Sequence, residues 1–313
     1  MASDSESPSS LVDHPQNQPT QASSSDSRES SSFTAKQRRD GESDKQYEDR
    51  QKLEYRLSAI KHKILVLSGK GGVGKSTVAV NLAVSLARAG NKVGLMDVDV
   101  HGPSIPTLLG MTGYRPVGDG NDLLPVQMTK NLGVMSIGLL VEDKNAAVIW
   151  RGPLKFGMIR QFLRDVAWGE LDYLVMDAPP GTGDEPLAVA ELVGPGAVAV
   201  VVTTPQDLAI ADVRRSISFC RELSLPVIGI IENMSGYSCP KCGEIINIFK
   251  AGGGEKLANE MQVPFLGAIP IEPEIAASGD AGKPFVEAEG DSAVRTAFSN
   301  VASVIADRLG GTD

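Results

Sequence analysis

The chain has 313 residues, a formal net charge of −9 and three cysteines. The negative charge disfavours non-specific DNA binding, no run of eighteen apolar residues exists to cross a membrane, and three cysteines do not make a disulfide framework. We therefore expect a cytoplasmic protein with neither nucleic acid nor membrane as a partner.

The first 45 residues differ in composition from the rest of the chain. Residues 1–34 contain twelve serines and almost no large apolar side chains. Such a segment buries too little surface to offset the entropy lost on ordering, so we predict a disordered tail over residues 1–45. A lead-in helix is predicted over residues 46–62, with Leu53, Leu57 and Ile60 on one face, at the start of one domain covering 46–313.

Residues 68–77 read Ser-Gly-Lys-Gly-Gly-Val-Gly-Lys-Ser-Thr and fit the phosphate-loop pattern G-x-x-x-x-G-K-[ST]. An apolar run precedes the loop and a helical pattern follows it, as this motif requires. Lys75 is expected to reach the β- and γ-phosphates, and the Ser76 hydroxyl to bind Mg²⁺. The predicted nucleotide-binding residues of the loop are Gly69, Lys70, Gly71, Gly72, Val73, Gly74, Lys75, Ser76 and Thr77.

Apolar runs alternate with helical patterns through the rest of the chain. Strands are predicted over residues 92–97, 132–137, 172–177, 197–203, 227–232 and 265–269, and helices over 154–166, 185–193 and 208–223. Continuous Val, Ile and Leu runs are typical of strands covered on both faces. The predicted fold is therefore an α/β, mostly parallel sheet with helices on both faces, of the P-loop NTPase type. Ligands of such sheets bind beyond the carboxyl ends of the strands.

Acidic side chains close two of these strands. Asp97 and Asp99 end one, and Asp177 ends another just before Ala-Pro-Pro-Gly-Thr-Gly-Asp. Near a phosphate loop, such carboxylates hold Mg²⁺ or position the attacking water, and Asp177 stands where a magnesium-binding aspartate is expected.

Cys239 and Cys242 form a Cys-Pro-Lys-Cys pair, whereas Cys220 lies on an apolar helix face and is expected in the core. Two thiolates at this spacing bind one soft metal centre from one side, and zinc, an iron–sulfur cluster and a redox pair all remain open. Four ligands are usual for a metal, so a second chain is needed to complete the site, and a symmetric dimer supplies it.

The loop with its extra lysine, Lys70, resembles the deviant phosphate loop of the MinD, ParA and nitrogenase-iron-protein ATPases. Over residues 61–309 the chain also resembles the Mrp (ApbC-type) iron–sulfur cluster carrier ATPases. The motifs that carry this resemblance include Asp-Val-Asp-Val-His-Gly-Pro-Ser, Trp-Arg-Gly-Pro, Asp-Ala-Pro-Pro-Gly-Thr-Gly-Asp, Glu-Asn-Met-Ser-Gly-Tyr and Cys-Pro-Lys-Cys.

The resemblance implies a homodimer that uses ATP and Mg²⁺. In it, Lys70 contacts the nucleotide of the other subunit, Asp99 orients water, Asn233 contacts adenine and Pro270 borders the base. It further implies a 4Fe–4S cluster shared across the dimer by Cys239 and Cys242, with cluster donor proteins and iron–sulfur apoprotein recipients as partners. The alternative is a positioning ATPase of the MinD or ParA kind with a structural zinc or redox cysteine pair.

Overall fold

The structure is a computed structural model that describes residues 37–99, 102–120, 122–140, 152–239, 241–242, 244–287 and 292–310. Most of the predicted tail, and Trp150 and Arg151 of the Trp-Arg-Gly-Pro motif, lie outside these residues. None of the described helices combines the length and the apolar composition needed to cross a bilayer.

One mixed sheet organises the described residues. Its strands are β1 Ile60–Ser68, β2 Val93–Asp97, β3 Val126–Thr129, β4 Leu132–Ser136, β5 Leu171–Asp177, β6 Ala197–Thr203, β7 Val227–Ser238, β8 Ile245–Ile246 and β9 Phe265–Ile271. The order across the sheet is β3-β4-β2-β5-β1-β6-β7-β8, and β9 pairs with β7. Only β3 and β8 run antiparallel to their described neighbours, so the mostly parallel sheet is confirmed.

The helices are α1 Asp44–Ser58, α2 Lys75–Arg88, α3 Ile105–Leu108, α4 Gly152–Asp165, α5 Asp184–Val193, α6 Asp207–Glu222, α7 Gly253–Met261, α8 Pro273–Asp280 and α9 Ala293–Gly310. Side chains alternate across β1: Ile64 and Val66 pack with α2 and α9, whereas Leu65 and Leu67 pack with α4 and α5. Helices therefore cover both faces, as predicted.

The helix ahead of β1 differs from its predicted bounds. It begins at Asp44, where the Ser43 hydroxyl accepts a hydrogen bond from the Gln46 amide and the Gln46 side chain accepts one from the Ser43 amide. It ends at Ser58, and Ile60 already pairs with Leu171 of β5. Ile60 was predicted on the helix face, and this is wrong because pairing with a central strand satisfies its backbone groups.

The last helix, α9, packs on the domain through a buried apolar stripe that includes Val294, Phe298, Val301 and Ile305. The packing buries the apolar face of this helix in the core.

Candidate nucleotide and cysteine sites

The phosphate loop joins β1 to α2 and needs left-handed backbone at two glycines. Gly72 has φ +79° and Gly74, the residue before α2, has φ +80°. Such values are accessible to glycine without steric cost. The turn leaves the amide groups at the start of α2 without side-chain caps, and such a helix start binds anions.

Asn233, near the middle of β7, packs directly against this loop. Its Nδ2 donates a hydrogen bond to the Val73 carbonyl oxygen at 2.9 Å. A Cβ atom on Gly74 would lie 2.3 Å from the same nitrogen. A side chain at position 74 would therefore strain the backbone and displace Asn233 from its hydrogen bond to Val73.

Lys75 and Asp177 form an ion pair beneath the loop. The Lys75 ammonium donates a hydrogen bond to Asp177 Oδ1, and the side chains are 7% and 0% exposed. The other carboxylate oxygen, Oδ2, is buried and has no hydrogen-bond partner. Burial raises the pKa of Asp177, while the Lys75 charge and a hydrogen bond from Ser76 oppose the rise.

Asp97 lies beside this pair, because its backbone is in register with Asp177 across β2 and β5. It is fully buried and accepts hydrogen bonds from the Ser136 hydroxyl at 2.8 Å and the Asp99 amide at 3.1 Å. Burial and the Asp177 carboxylate raise the pKa of Asp97 to about 8. Asp97 thus acts as a support that fixes the backbone of Asp99.

Two adjoining cavities lie over the carboxyl ends of the strands. The first, of about 270 Å³, is lined by Ser68, Lys70, Gly71, Gly72, Gly74, Lys75, Ser76, Thr77, Asp99, Ser104, Leu108 and Pro180. The second, of about 540 Å³ and mainly apolar, shares Gly74, Thr77, Ser104 and Leu108 with it. We call them the phosphate cavity and the base cavity. Asn233 and Pro270 line the base cavity.

The remaining predicted loop residues lie behind these cavities. Val73 is buried and holds Asn233 through its carbonyl group. Gly69 packs on α6, where a Cβ atom would come within 2.5 Å of the Asp212 carbonyl carbon. The structure therefore brings the predicted nucleotide residues together around one depression.

Cys239 and Cys242 line neither cavity. They lie at the turn that joins β7 to β8, which we call the cysteine turn. There the Cys239 amide donates a hydrogen bond to the Glu244 carbonyl oxygen at 2.9 Å. Cys239 is half-buried, Cys242 is exposed, and both are unbridged thiols. Hydrogen bonds from the backbone amides of Lys241 and Cys242 lower the pKa of Cys239. A lowered pKa favours the thiolate that metals bind.

Cys220 behaves differently, as its sequence context predicts. It is fully buried on α6, and burial raises the pKa of its thiol to about 12. Within the described part of the chain, no group of three or more His, Cys, Asp or Glu side chains is placed to hold a metal ion.

Phe249 and Glu232 are among the residues near the site that were missed from the sequence. Phe249 lines the base cavity although it follows the cysteine turn, and Glu232 is a fully buried carboxylate next to Asn233. A buried acid beside a strand end is a signal for Glu232, since such a group needs several donors. Phe249 has no comparable sequence signal.

The chain is similar in sequence to proteins of one family. The family of NUBPL iron-transfer P-loop NTPases matches residues 59–306. A cytosolic Fe-S cluster assembly factor NUBP2 homolog of Trichoplax adhaerens is 52% identical over 250 residues, which cover 77% of this chain and 93% of that protein. An iron-sulfur cluster carrier protein of Methanocaldococcus jannaschii is 50% identical over 235 residues, 75% of this chain and 81% of that protein.

The chain also resembles solved structures of nucleotide-binding proteins. A nucleotide-binding protein from Archaeoglobus fulgidus in complex with ADP is 42% identical, with a TM-score of 0.67, and the match covers 75% of this chain and 92% of that one. MinD of Pyrococcus horikoshii, complexed with Mg-ADP, is 24% identical with a TM-score of 0.59 over 80% and 97% of the two chains, and it shows the fold alone. The chain belongs to the NUBPL iron-transfer P-loop NTPases, and its relatives are named as iron–sulfur cluster assembly factors and carriers.

Proposed function

We propose that this protein is an ATP-dependent carrier that, as a homodimer, holds a 4Fe–4S cluster on Cys239 and Cys242 of both subunits and transfers it to apoproteins in the cytosol. One observation carries the proposal: strand β7 contains Asn233 at the base cavity and leads, six residues later, into the cysteine turn. Nucleotide and thiol ligands thus share one element.

The base cavity presents Asn233 to a base. One N–H of the Asn233 amide donates to the Val73 carbonyl, so the second N–H and the side-chain carbonyl oxygen are left to face a base. The carbonyl oxygen can accept a hydrogen bond from the exocyclic amine of adenine. This contact supports ATP as the nucleotide.

The phosphate cavity fits a magnesium nucleotide. Asp177 Oδ2 is a buried oxygen without a hydrogen-bond partner, and Ser76 bonds to the same carboxylate group, so these two residues would hold Mg²⁺, directly or through water. When bound, Mg²⁺ neutralises charge on the β- and γ-phosphates. Phosphate oxygens replace Asp177 as the partner of Lys75, and Lys70 reaches the nucleotide of the second subunit.

Hydrolysis then needs one positioned water. Asp99 lines the phosphate cavity and accepts a hydrogen bond from this water. The water oxygen forms a bond to the γ-phosphorus, the bond from that phosphorus to the β–γ bridging oxygen breaks, and ADP leaves with the electron pair. The proton of the water ends on the released phosphate.

The cysteine turn supplies half of a four-thiolate site. Iron–sulfur clusters of this type take four cysteine ligands, and two copies of the pair across a two-fold axis provide them. Exposed apolar side chains flank the pair: Ile245 is 71% exposed and Ile248 is 53% exposed. Exposed apolar surface of this kind marks an interaction site and supports a second subunit there.

Anaerobic reconstitution with iron and sulfide tests the proposal. We expect a 4Fe–4S spectrum with about one cluster per two chains, together with a dimeric mass. Cys239→Ala should abolish the cluster, and Cys220→Ala, in the buried core, serves as the matched control and should retain it. Zinc instead of iron in protein purified without oxygen, or a monomer with a complete cluster, would contradict the proposal.

A further inference from the structure

We propose that Phe249 contacts the base of a bound nucleotide, and that this contact restrains the turn that carries Cys239 and Cys242. The proposal rests on the nucleotide site described above. It adds a residue to that site and assigns a route from the bound base to the two thiols.

Phe249 is distinguished from the other apolar residues that follow the cysteine turn. Ile245, Ile246 and Ile248 are exposed and line neither the phosphate nor the base cavity. Phe249 is 36% exposed and lines the base cavity together with Asn233, Met234 and Pro270. An aromatic ring in the wall of a base-sized apolar cavity stacks on a base whatever the identity of that base.

The segment between Asn233 and α7 is tied at both ends to one carboxylate. Glu232 Oε1 accepts hydrogen bonds from the Ser235 hydroxyl at 2.5 Å and from the Gly252 amide at 2.9 Å. Glu232 Oε2 accepts one from the Gly254 amide. The segment that contains the cysteine turn therefore leaves and returns to the same side chain: Ser235 before the turn and Gly252 after it both bond to Glu232.

Pairing between β7 and β8 connects Phe249 to the cysteine turn. Tyr237 pairs with Ile246 and Ser238 with Ile245, and these two rungs separate the cysteine turn from Phe249. Phe249 follows three residues after β8, and the next residue, Lys250, forms an ion pair with Asp207 at 2.6 Å. A base that holds the Phe249 ring therefore restrains the hairpin that carries Cys239 and Cys242.

The first test separates base binding from phosphate binding in the full, reduced, cluster-free chain. Phe249→Ala should weaken Mg·ADP binding about tenfold, since base stacking contributes on this scale, and leave Mg·pyrophosphate binding unchanged. Phe249→Trp should restore ADP affinity. Phe156→Ala is the matched control and should bind ADP normally, because Phe156 is a phenylalanine of similar exposure, 39%, on α4 and lines neither cavity.

The second test measures the route to the thiols. We expect saturating Mg·ADP to slow iodoacetamide labelling of Cys239 about threefold or more in the unsubstituted chain and in Phe156→Ala, as read by mass spectrometry, because restraint of a hairpin lowers local opening. In Phe249→Ala, ADP at saturation should have no such effect. Mg·ADP has no γ-phosphate, so closure of a dimer on ATP does not contribute.

Two outcomes would overturn the inference: equal ADP affinity in Phe249→Ala and the unsubstituted chain, or ADP protection of Cys239 that survives the substitution. Failure of cluster assembly would count against the proposed function but not against this coupling, because the experiment uses cluster-free protein. Absence of ADP binding by the unsubstituted chain would overturn both.

Discussion

The buried ion pair between Lys75 and Asp177 holds the phosphate loop to the end of strand β5. Both charges are almost fully removed from water, and each compensates the other. In the proposed function the same two groups meet the magnesium nucleotide, so each compensates the charge of the other before phosphate and metal bind.

Lys75→Ala should destabilise the nucleotide-free protein in a pH-dependent way. Loss of the ammonium raises the pKa of Asp177 further, so the native state takes up a proton that the unfolded chain does not hold. The stability lost by the variant, relative to the unsubstituted chain, should be about 3 kcal/mol at pH 8 and smaller at pH 5. Urea unfolding at both pH values measures it.

Lys61→Ala is the control. Lys61 of β1 pairs with Asp172 of β5 near the start of both strands, far from the phosphate loop, and the lysine is 70% exposed. It should leave the unfolding free energy nearly unchanged. Equal losses at pH 5 and pH 8 for Lys75→Ala would show that Asp177 does not take up the proton.

Gly74→Ala should weaken nucleotide binding as well as lower stability. A left-handed alanine costs about 1 kcal/mol, and here its Cβ atom also collides with the Asn233 side chain. Gly90→Ala isolates the first effect, because Gly90 has φ +95° and open space around its Cβ position. Titration with Mg·ADP should show at least a tenfold loss for Gly74→Ala and none for Gly90→Ala. Similar ADP affinities in both variants would show that contact with Asn233 does not affect nucleotide binding.

Glu232→Ala should lower the free energy of unfolding by about 3 kcal/mol, because three donors lose a charged acceptor and two of them are backbone amides near the start of α7. The cysteine turn should also open more often, which faster alkylation of Cys239 would report. Glu255→Ala removes an exposed acid from the first turn of the same helix and should cost less than about 1 kcal/mol. Unchanged alkylation in Glu232→Ala would show that the carboxylate does not restrain the turn.

Glu42 should make the protein less stable in acid. Its carboxylate accepts two hydrogen bonds from Arg50, which lower its pKa to about 2. Since the native pKa lies below the unfolded value of about 4.5, this stabilisation is complete above pH 4.5 and is lost as the pH falls toward 2. Glu42→Gln should flatten the decline of the urea midpoint over this range, whereas Glu48→Gln, on the helix α1 that carries Arg50, should not. A decline identical to that of the unsubstituted chain would place the acid sensitivity elsewhere.

The sequence alone determined the phosphate loop, the strand that precedes it and the acid that closes β5. These are local patterns: glycines at fixed spacing, a continuous apolar run and a lysine one residue into a helix, each dictated by neighbours along the chain. The same reasoning predicted the two-faced sheet, because strands buried on both sides read as unbroken Val, Ile and Leu. Helical spacing of apolar residues around Cys220 likewise placed this residue in the core.

Tertiary structure alone decided how distant segments meet. The Asn233 amide bonds to Val73 across 160 residues of chain, and no local pattern states which side of the loop it approaches. The two short antiparallel strands β3 and β8 escaped prediction because hairpin pairing, not composition, creates them. Phe249 lines the base cavity from a segment whose two ends both bond to Glu232, and these contacts are set by packing in three dimensions.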